Sequence, residues 1–336
     1  MPAVRILLVT QMWPTAATPE LGSFLVPMVR ELRAQGHEVD VAAIGRRGGS
    51  PLKYARLAGR AVAAARRRRP DVVFAHFLFP AGAAGLAAAR AADAPLVVMA
   101  HGQDVANCDR RAIRAVTAPV VRGAAAVIAN SRWLAARLAA HFPGVEPEVC
   151  DLGVDLAEFD PGTVAPAPWP GDHPRFLCVG ALIARKNVVA LADAFAALGR
   201  GSLTYVGDGP LRAELEGRPG VMLTGRVAHD AVPAWLAACD VLCQPSAIEP
   251  FGLAALEAMA MERTVVATTQ GGPPEFVTPE AGVLVDPADP AALVAGLARA
   301  AAMPAPNPAA RAAAGAHGSA RQAARMAAVL ARAVGR

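Results

Sequence analysis

Short apolar runs alternate with alanine-rich amphipathic stretches along almost the whole chain. Residues 4–10, 39–44, 71–76, 96–100 and 125–129 read as strands. Residues 23–35, 54–69, 82–92, 110–122 and 132–141 read as the helices around them. Parallel strands need a crossover long enough to hold a helix, so this rhythm predicts a parallel sheet with helices on both faces. Between Asp160 and Pro174 the rhythm stops: Pro161, Pro166, Pro168, Pro170 and Pro174 fall there with Gly162 and Gly171, a linker composition. It resumes with strands near 176–180, 202–206, 221–224, 240–244, 264–267 and 282–285, and helices near 187–198, 231–238, 253–261 and 289–301. The expectation is an α/β chain of two doubly wound domains, 1–165 and 166–305, facing across a cleft and joined by a proline-rich hinge. A helical tail, 306–336, packs back toward the first domain.

Composition removes several classes of function. No apolar run approaches the ~20 residues of a membrane span. Ile6-Leu7-Leu8-Val9 is too short for the apolar core of a secretory leader. Cys108, Cys150, Cys178, Cys239 and Cys243 form no Cys-x-x-Cys pair, which fits reduced core thiols of a cytoplasmic protein. The formal charge is +5, from 33 basic and 28 acidic residues, and the excess is local. Arg46, Arg47, Lys53, Arg56, Arg60 and Arg66 to Arg69 have no acidic residue among them, and Leu52, Tyr54, Leu57, Ala58, Val62 and Ala65 are interleaved. Residues 46–69 read as a basic amphipathic helix suited to an anionic membrane surface, or as a solvated helix whose last cations complement its dipole. No aromatic stacking set accompanies the cations, which argues against nucleic acid.

In open parallel sheets, ligands bind at the carboxyl ends of the strands. Several motifs fall there. Thr10 to Phe24 is a long loop ending in Gly22 at a helix start, suited to bringing amides to a phosphate, or simply a loop. His101 follows the fourth strand in His101-Gly102-Gln103-Asp104; a lone histidine is more often structural than ligand-binding. Arg185 and Lys186 stand at a helix entry and suit a diphosphate, against the plainer reading of two solvated side chains. Gly207 and Arg226 sit in turns at two further strand ends, where they would border a nucleobase. Gly271-Gly272-Pro273-Pro274-Glu275 permits close backbone approach. Glu249 and Glu257 flank Pro250-Phe251-Gly252-Leu253-Ala254-Ala255-Leu256, the first in a loop and the second inside a helix. Glutamate is rarely buried without a partner, so a pair flanking an apolar stretch suits a hydroxyl-rich ligand beside a helix N-terminus. The plain alternative is one dipole-complementing Glu and one solvated Glu. No Walker loop, Gly-x-Ser-x-Gly, dinucleotide fingerprint, Asp-x-Asp or metal-ligand cluster is present.

Taken together, residues 4–301 resemble retaining glycosyltransferases of family 4, with two Rossmann-like domains in the GT-B arrangement. The resemblance is carried by Glu249 and Glu257 with seven residues between them, and by Gly22-Ser23-Phe24, His101-Gly102-Gln103-Asp104, Asn130-Ser131, Gly153-Val154-Asp155, Arg185-Lys186, Gly207-Asp208-Gly209-Pro210, Gly271 to Glu275 and Leu284 to Pro287. It implies a nucleotide-diphosphate sugar as donor and a hydroxylated acceptor: a lipid-linked saccharide, a glycan or a small metabolite. It also implies retention of configuration without a metal or other cofactor. Glu249 would hold sugar hydroxyls, approached also by the amides of Phe251, Gly252 and Leu253. Glu257 would bind ribose, Arg185 and Lys186 would neutralise the leaving diphosphate, and Gly22 would approach the phosphates. His101 would contact the sugar near its reacting carbon. The family often has Arg where this chain has Ala181, and Asn where it has Leu152. Met12-Trp13-Pro14 and Ala75 to Pro80 resemble members that build surface polysaccharides. A nucleotide-sugar epimerase of the same fold and a non-catalytic nucleotide-sugar binder are the alternative readings.

Overall fold

The computed structural model describes residues 3–46 and 48–335. Arg47, part of the predicted basic helix, lies outside them. The chain divides into two compact units, one running to Gly153 and resuming at Ser319, the other Val154–Gly318.

In unit 1 the elements are β1 (Arg5–Thr10), α1 (Leu25–Ala34), β2 (Glu38–Ala43), α2 (Leu52–Arg68), β3 (Val72–His76), α3 (Ala81–Ala92), β4 (Leu96–Ala100), α4 (Gln103–Asn107), α5 (Arg111–Gly123), β5 (Ala126–Ala129), α6 (Arg132–His141) and β6 (Glu148–Val149). The strands form one sheet in the order β2-β1-β3-β4-β5-β6, every pair parallel. All of β3 and β4 is buried, as expected of strands covered on both faces. The order reverses between β1 and β3.

Unit 2 contains β7 (Arg175–Val179), α7 (Val188–Leu198), β8 (Ser202–Val206), α8 (Arg212–Leu215), β9 (Val221–Gly225), α9 (Val232–Ala238), β10 (Val241–Gln244), α10 (Leu253–Ala260), β11 (Thr264–Thr268), β12 (Gly282–Val285), α11 (Pro290–Ala300) and α12 (Pro308–Gly315). Its sheet, also parallel, runs β12-β11-β10-β7-β8-β9, so the order reverses between β7 and β10. Such reversal points are where crossovers depart to opposite faces and leave a crevice at the strand ends.

The boundaries differ from those expected. The division falls at Gly153, so residues 154–165 belong with unit 2. The proline-rich stretch is no free hinge. Ala167 donates its N–H to the Ala234 carbonyl at 2.8 Å, and Trp169 Nε1 donates to Ser202 Oγ at 2.8 Å. Trp169 also meets Trp235 edge-on at 6.0 Å. The tail divides as well. α12 stays in unit 2, where Arg311 donates to the Phe159 carbonyl at 3.1 Å. α13 (Ser319–Val334) belongs to unit 1. Its stripe Ala323, Met326, Ala327 and Leu330 has helical spacing and is fully buried with Val4, Ile6, Leu25, Met28 and Val72. Arg325 pairs with Asp151, and Arg332 with Glu148, on the same helix.

α2 is amphipathic, as expected, with its apolar face turned into the unit 1 core. Leu57 and Ala65, which one of the two readings turned toward a membrane, are buried in the unit 1 core with Ala61. Lys53, expected as a surface cation, is buried and donates to the Gly48 carbonyl at 3.2 Å. Among the described residues of α2, Leu52, 65% exposed, is the large apolar side chain left outside. What α2 offers to solvent is cationic. No helix among the described residues is long and apolar enough to cross a membrane. The five cysteines are buried and free, and burial pushes the thiols of Cys150, Cys178 and Cys239 up to about 12.

Candidate active site

The two loops leaving β7 and β10, the strands flanking the reversal in unit 2, are tied together. Ala247 donates its N–H to the Arg185 carbonyl at 2.9 Å, and Arg185 Nη1 donates to the Ile248 carbonyl at 3.1 Å. Lys186 sits in a single 3-10 turn, Ala184–Lys186, and its Nζ reaches Glu249 Oε2 at 2.5 Å. Ser246 Oγ donates to the same oxygen at 3.0 Å. Sixty-three residues separate Lys186 from Glu249, so only the sheet order brings them together. Both side chains are mostly buried, 18% and 10% exposed, where an ion pair is poorly screened by water.

A third loop, after β11, completes the floor. Glu249 donates its N–H to the Gln270 carbonyl and Gly272 donates to the Glu249 carbonyl, both at 2.9 Å. Gly271 has φ +122°, and a Cβ there would lie 1.9 Å from the Glu249 carbonyl oxygen. Only glycine fits. Gly207 is held likewise: φ is +147° and a Cβ would stand 1.9 Å from the Gly180 carbonyl oxygen. Gly207 thus packs the loop after β8 against the loop after β7, a spacing role. Arg226 follows β9 and is exposed.

Gly252 immediately precedes α10; its φ of +108° turns the chain sharply, and no side chain caps the helix. The amides of Phe251, Gly252 and Leu253 donate to no group among the described residues. A helix N-terminus with unused amides carries partial positive charge and favours an anion. Glu257 lies one turn further on, 7% exposed, and its carboxyl has no donor among the described residues. Burial first, and then the charge of Glu158, raise it to about 8.

In unit 1, Gly22 has φ +75°, and a Cβ there would stand 2.7 Å from the Met12 carbonyl oxygen. His101 follows β4. The Asp104 carboxylate holds its backbone, accepting from the amides of His101, Gly102 and Val105 with Oδ1 and from Leu78 with Oδ2, at 2.9 to 3.1 Å. The His101 ring is bracketed by Phe24 at 5.2 Å and Phe77 at 4.5 Å between centroids. Burial lowers its pKa to about 4, against the smaller opposing pull of Asp104. His76, which no motif in the sequence marks as a site residue, lies behind it at 2.9 Å. Ser246 is likewise unmarked by any motif.

Within unit 2, then, Arg185, Lys186, Glu249, Phe251, Gly252, Leu253 and Glu257 gather at one strand-order reversal. In unit 1, Gly22 and His101 lie at the ends of the first and fourth strands.

Residues 22–158 match Glycosyltransferase Family 4, and residues 173–302 match Glycosyl transferases group 1. An alpha-(1-6)-phosphatidylinositol monomannoside mannosyltransferase of Mycolicibacterium smegmatis is 30% identical over 256 residues, covering 67% of each chain. The chain belongs to glycosyltransferase family 4. Another family relative, the putative teichuronic acid biosynthesis glycosyltransferase TuaC of Bacillus subtilis, is 27% identical over 240 residues, 68% of this chain. The chain spans 61% of that relative's length. Among solved structures, sucrose-phosphate synthase from Thermosynechococcus elongatus superposes with a TM-score of 0.79 at 21% identity, covering 98% of each chain. HepE from Anabaena, solved with UDP-glucose, gives 0.74 at 21% identity, covering 98% of this chain and 100% of its own. These likenesses show the fold, two Rossmann-like domains of the GT-B type.

Proposed function

We propose that this chain is a retaining, metal-independent glycosyltransferase that moves a sugar from a nucleotide-diphosphate donor to a hydroxyl acceptor. The observation that carries the reading is the site in unit 2. Lys186 and Glu249 meet at the strand reversal, beside three unused amides and a buried carboxyl without a donor. Family membership supports it, as do the activities named for relatives. Glu249 takes sugar hydroxyls, and Glu257 accepts the ribose hydroxyls its own surroundings do not supply. Lys186, Arg185 and the α10 N-terminus take the diphosphate, so the charge that builds on the leaving phosphate meets fixed positive groups. The anomeric carbon–phosphate oxygen bond breaks and the acceptor oxygen bonds to the same face of that carbon. The acceptor's proton leaves with the phosphate, and no enzymatic nucleophile is needed. The acceptor is a lipid-linked saccharide, a glycan or a small metabolite.

A panel of nucleotide sugars tests this by thermal shift and by release of nucleoside diphosphate with and without acceptor hydroxyls. One donor at a hundred times its Kd adds about 2.7 kcal/mol of stability. Failure of every donor to bind sinks the reading. Conversion of the sugar without acceptor indicates an epimerase, and tight binding without turnover a binding protein.

We also propose reversible, purely electrostatic association of unit 1 with anionic membrane. Arg46, Arg56 and Arg60 line one groove beside α2, and Arg60, Arg67 and Trp13 line a second of about 480 Å³. Neutralising Arg56, Arg60 and Arg67 should abolish co-sedimentation with phosphatidylserine vesicles, as should salt near ~0.5 M. Sedimentation that survives both overturns it.

A further inference from the structure

His76 ends β3 and is wholly buried; His101 follows the neighbouring strand β4. His76 Nδ1 and His101 Nε2 are 2.9 Å apart, with the rings stacked at 28°. One of the two nitrogens must carry the shared proton and the other must be bare. The far nitrogen of His76, Nε2, is sealed from solvent and has no partner. His101 Nδ1 has no partner either, but it is not among the sealed atoms, so it reaches solvent.

Two arrangements satisfy the 2.9 Å contact. If His101 donates, neutral His76 carries its own proton on Nε2, and a buried N–H is left without an acceptor. If His76 donates, its Nε2 is a buried lone pair. Among backbone groups, orphaned buried N–H are rare and under-satisfied carbonyls somewhat less so, and the same asymmetry applies to ring nitrogens. The second arrangement is therefore favoured. Burial lowers both pKa values, His76 well below its ordinary range, which favours neutral rings at both positions. The backbone around the pair is fixed. Asp104 clamps the amides of Leu78 and His101, and Phe77, between them, is held at φ +80°. That conformation is a genuine outlier for a bulky residue, and such outliers cluster at functional sites.

We infer that His76 is a positioning residue: it donates Nδ1–H to His101 Nε2 and so makes His101 present an N–H, at Nδ1, on its open side. An oxygen ligand is then met by a neutral donor, the form that suits a sugar hydroxyl or a phosphate oxygen. The use of that donor on the donor sugar rests on the function proposed above; the tautomer does not.

The test is a long-range proton–nitrogen correlation on the full chain labelled with 15N-histidine, near pH 7. His101 should show a protonated Nδ1 and a bare Nε2. In His76→Phe the preference should be lost, with proton on Nε2 appearing. In His76→Asn, whose amide nitrogen stands where Nδ1 did, it should return. With donor and acceptor, His76→Phe should lose ~10-fold in kcat/KM, the worth of one hydrogen bond, and Asn should recover most of it. Wild-type His101 carrying its proton on Nε2 overturns the inference without any variant, as does a tautomer unchanged in His76→Phe. The expected tautomers with unchanged turnover keep the positioning role and overturn His101 as the sugar contact instead.

Discussion

Glu249→Ala lowers sugar transfer about a thousandfold, the scale of losing one preorganised polar group at the reacting centre. The Lys186–Glu249 ion pair makes the rest of the result specific. Lys186 is 2.5 Å from Glu249 and must divide its charge between that carboxylate and an incoming diphosphate. Removing Glu249 frees the ammonium. The affinity for nucleoside diphosphate therefore holds or rises while turnover collapses. Lys186→Ala does the reverse first, weakening nucleoside diphosphate about tenfold or more before any effect on the chemical step. Without ligand, Glu249→Ala costs ~1–3 kcal/mol of stability, because a mostly buried ammonium and the Ser246 hydroxyl lose their shared acceptor. The double variant should be less impaired than the two single effects summed, since each residue acts through the other. Calorimetry with nucleoside diphosphate and initial rates with donor read these quantities separately. Wild-type turnover in Glu249→Ala contradicts the proposed site.

Glu257 makes the stability of unit 2 fall as pH rises. Its carboxyl is raised from its ordinary value of 4.5 to about 8, chiefly by burial. The folded state thus holds the proton more tightly than the unfolded chain. That stabilisation is full below about 4.5 and is lost progressively as pH climbs through about 8. Each tenfold tightening of the proton is worth ~1.4 kcal/mol, so the contribution approaches ~3–5 kcal/mol. Glu257→Gln removes the titration. Its melting temperature should be nearly flat from about pH 5 to 9 and exceed that of the parent at the upper end. Nucleotide binding should release up to one proton in the parent near neutral pH, because ribose hydroxyls supply the donors an ionised Glu257 lacks. The Gln variant should release none, a difference visible as buffer-dependent binding heat. A parent whose stability rises from pH 6 to 9 contradicts the placement of this carboxyl.

Much of this fold was legible because its signals are local. Strands β7 and β10 are apolar runs closed by Gly180 and Pro245, and α10 begins where Gly252 lets the chain turn. α4 and α8 escaped, being four or five residues long, too short for a helical period to show. The unit boundary escaped for another reason. Proline content marks an extended chain, and Trp169 then binds that extended chain down. The individual site residues were visible as types at strand ends. Their pairing was not: Lys186 with Glu249, and His76 with His101, are matters of strand order rather than of spacing. Lys53 shows the same limit, since a lysine within an arginine-rich run gave no sign that its ammonium bonds to carbonyls.

The placement of α13 sets an order of assembly during synthesis. Unit 2 is one unbroken stretch, complete once Gly318 has been made. Unit 1 begins first but finishes last. Until residues 319–334 emerge from the ribosome, the apolar face formed by Ile6, Leu25, Met28 and Val72 has no cover. Unit 1 is therefore begun before unit 2 and completed after it, partly open while unit 2 is translated.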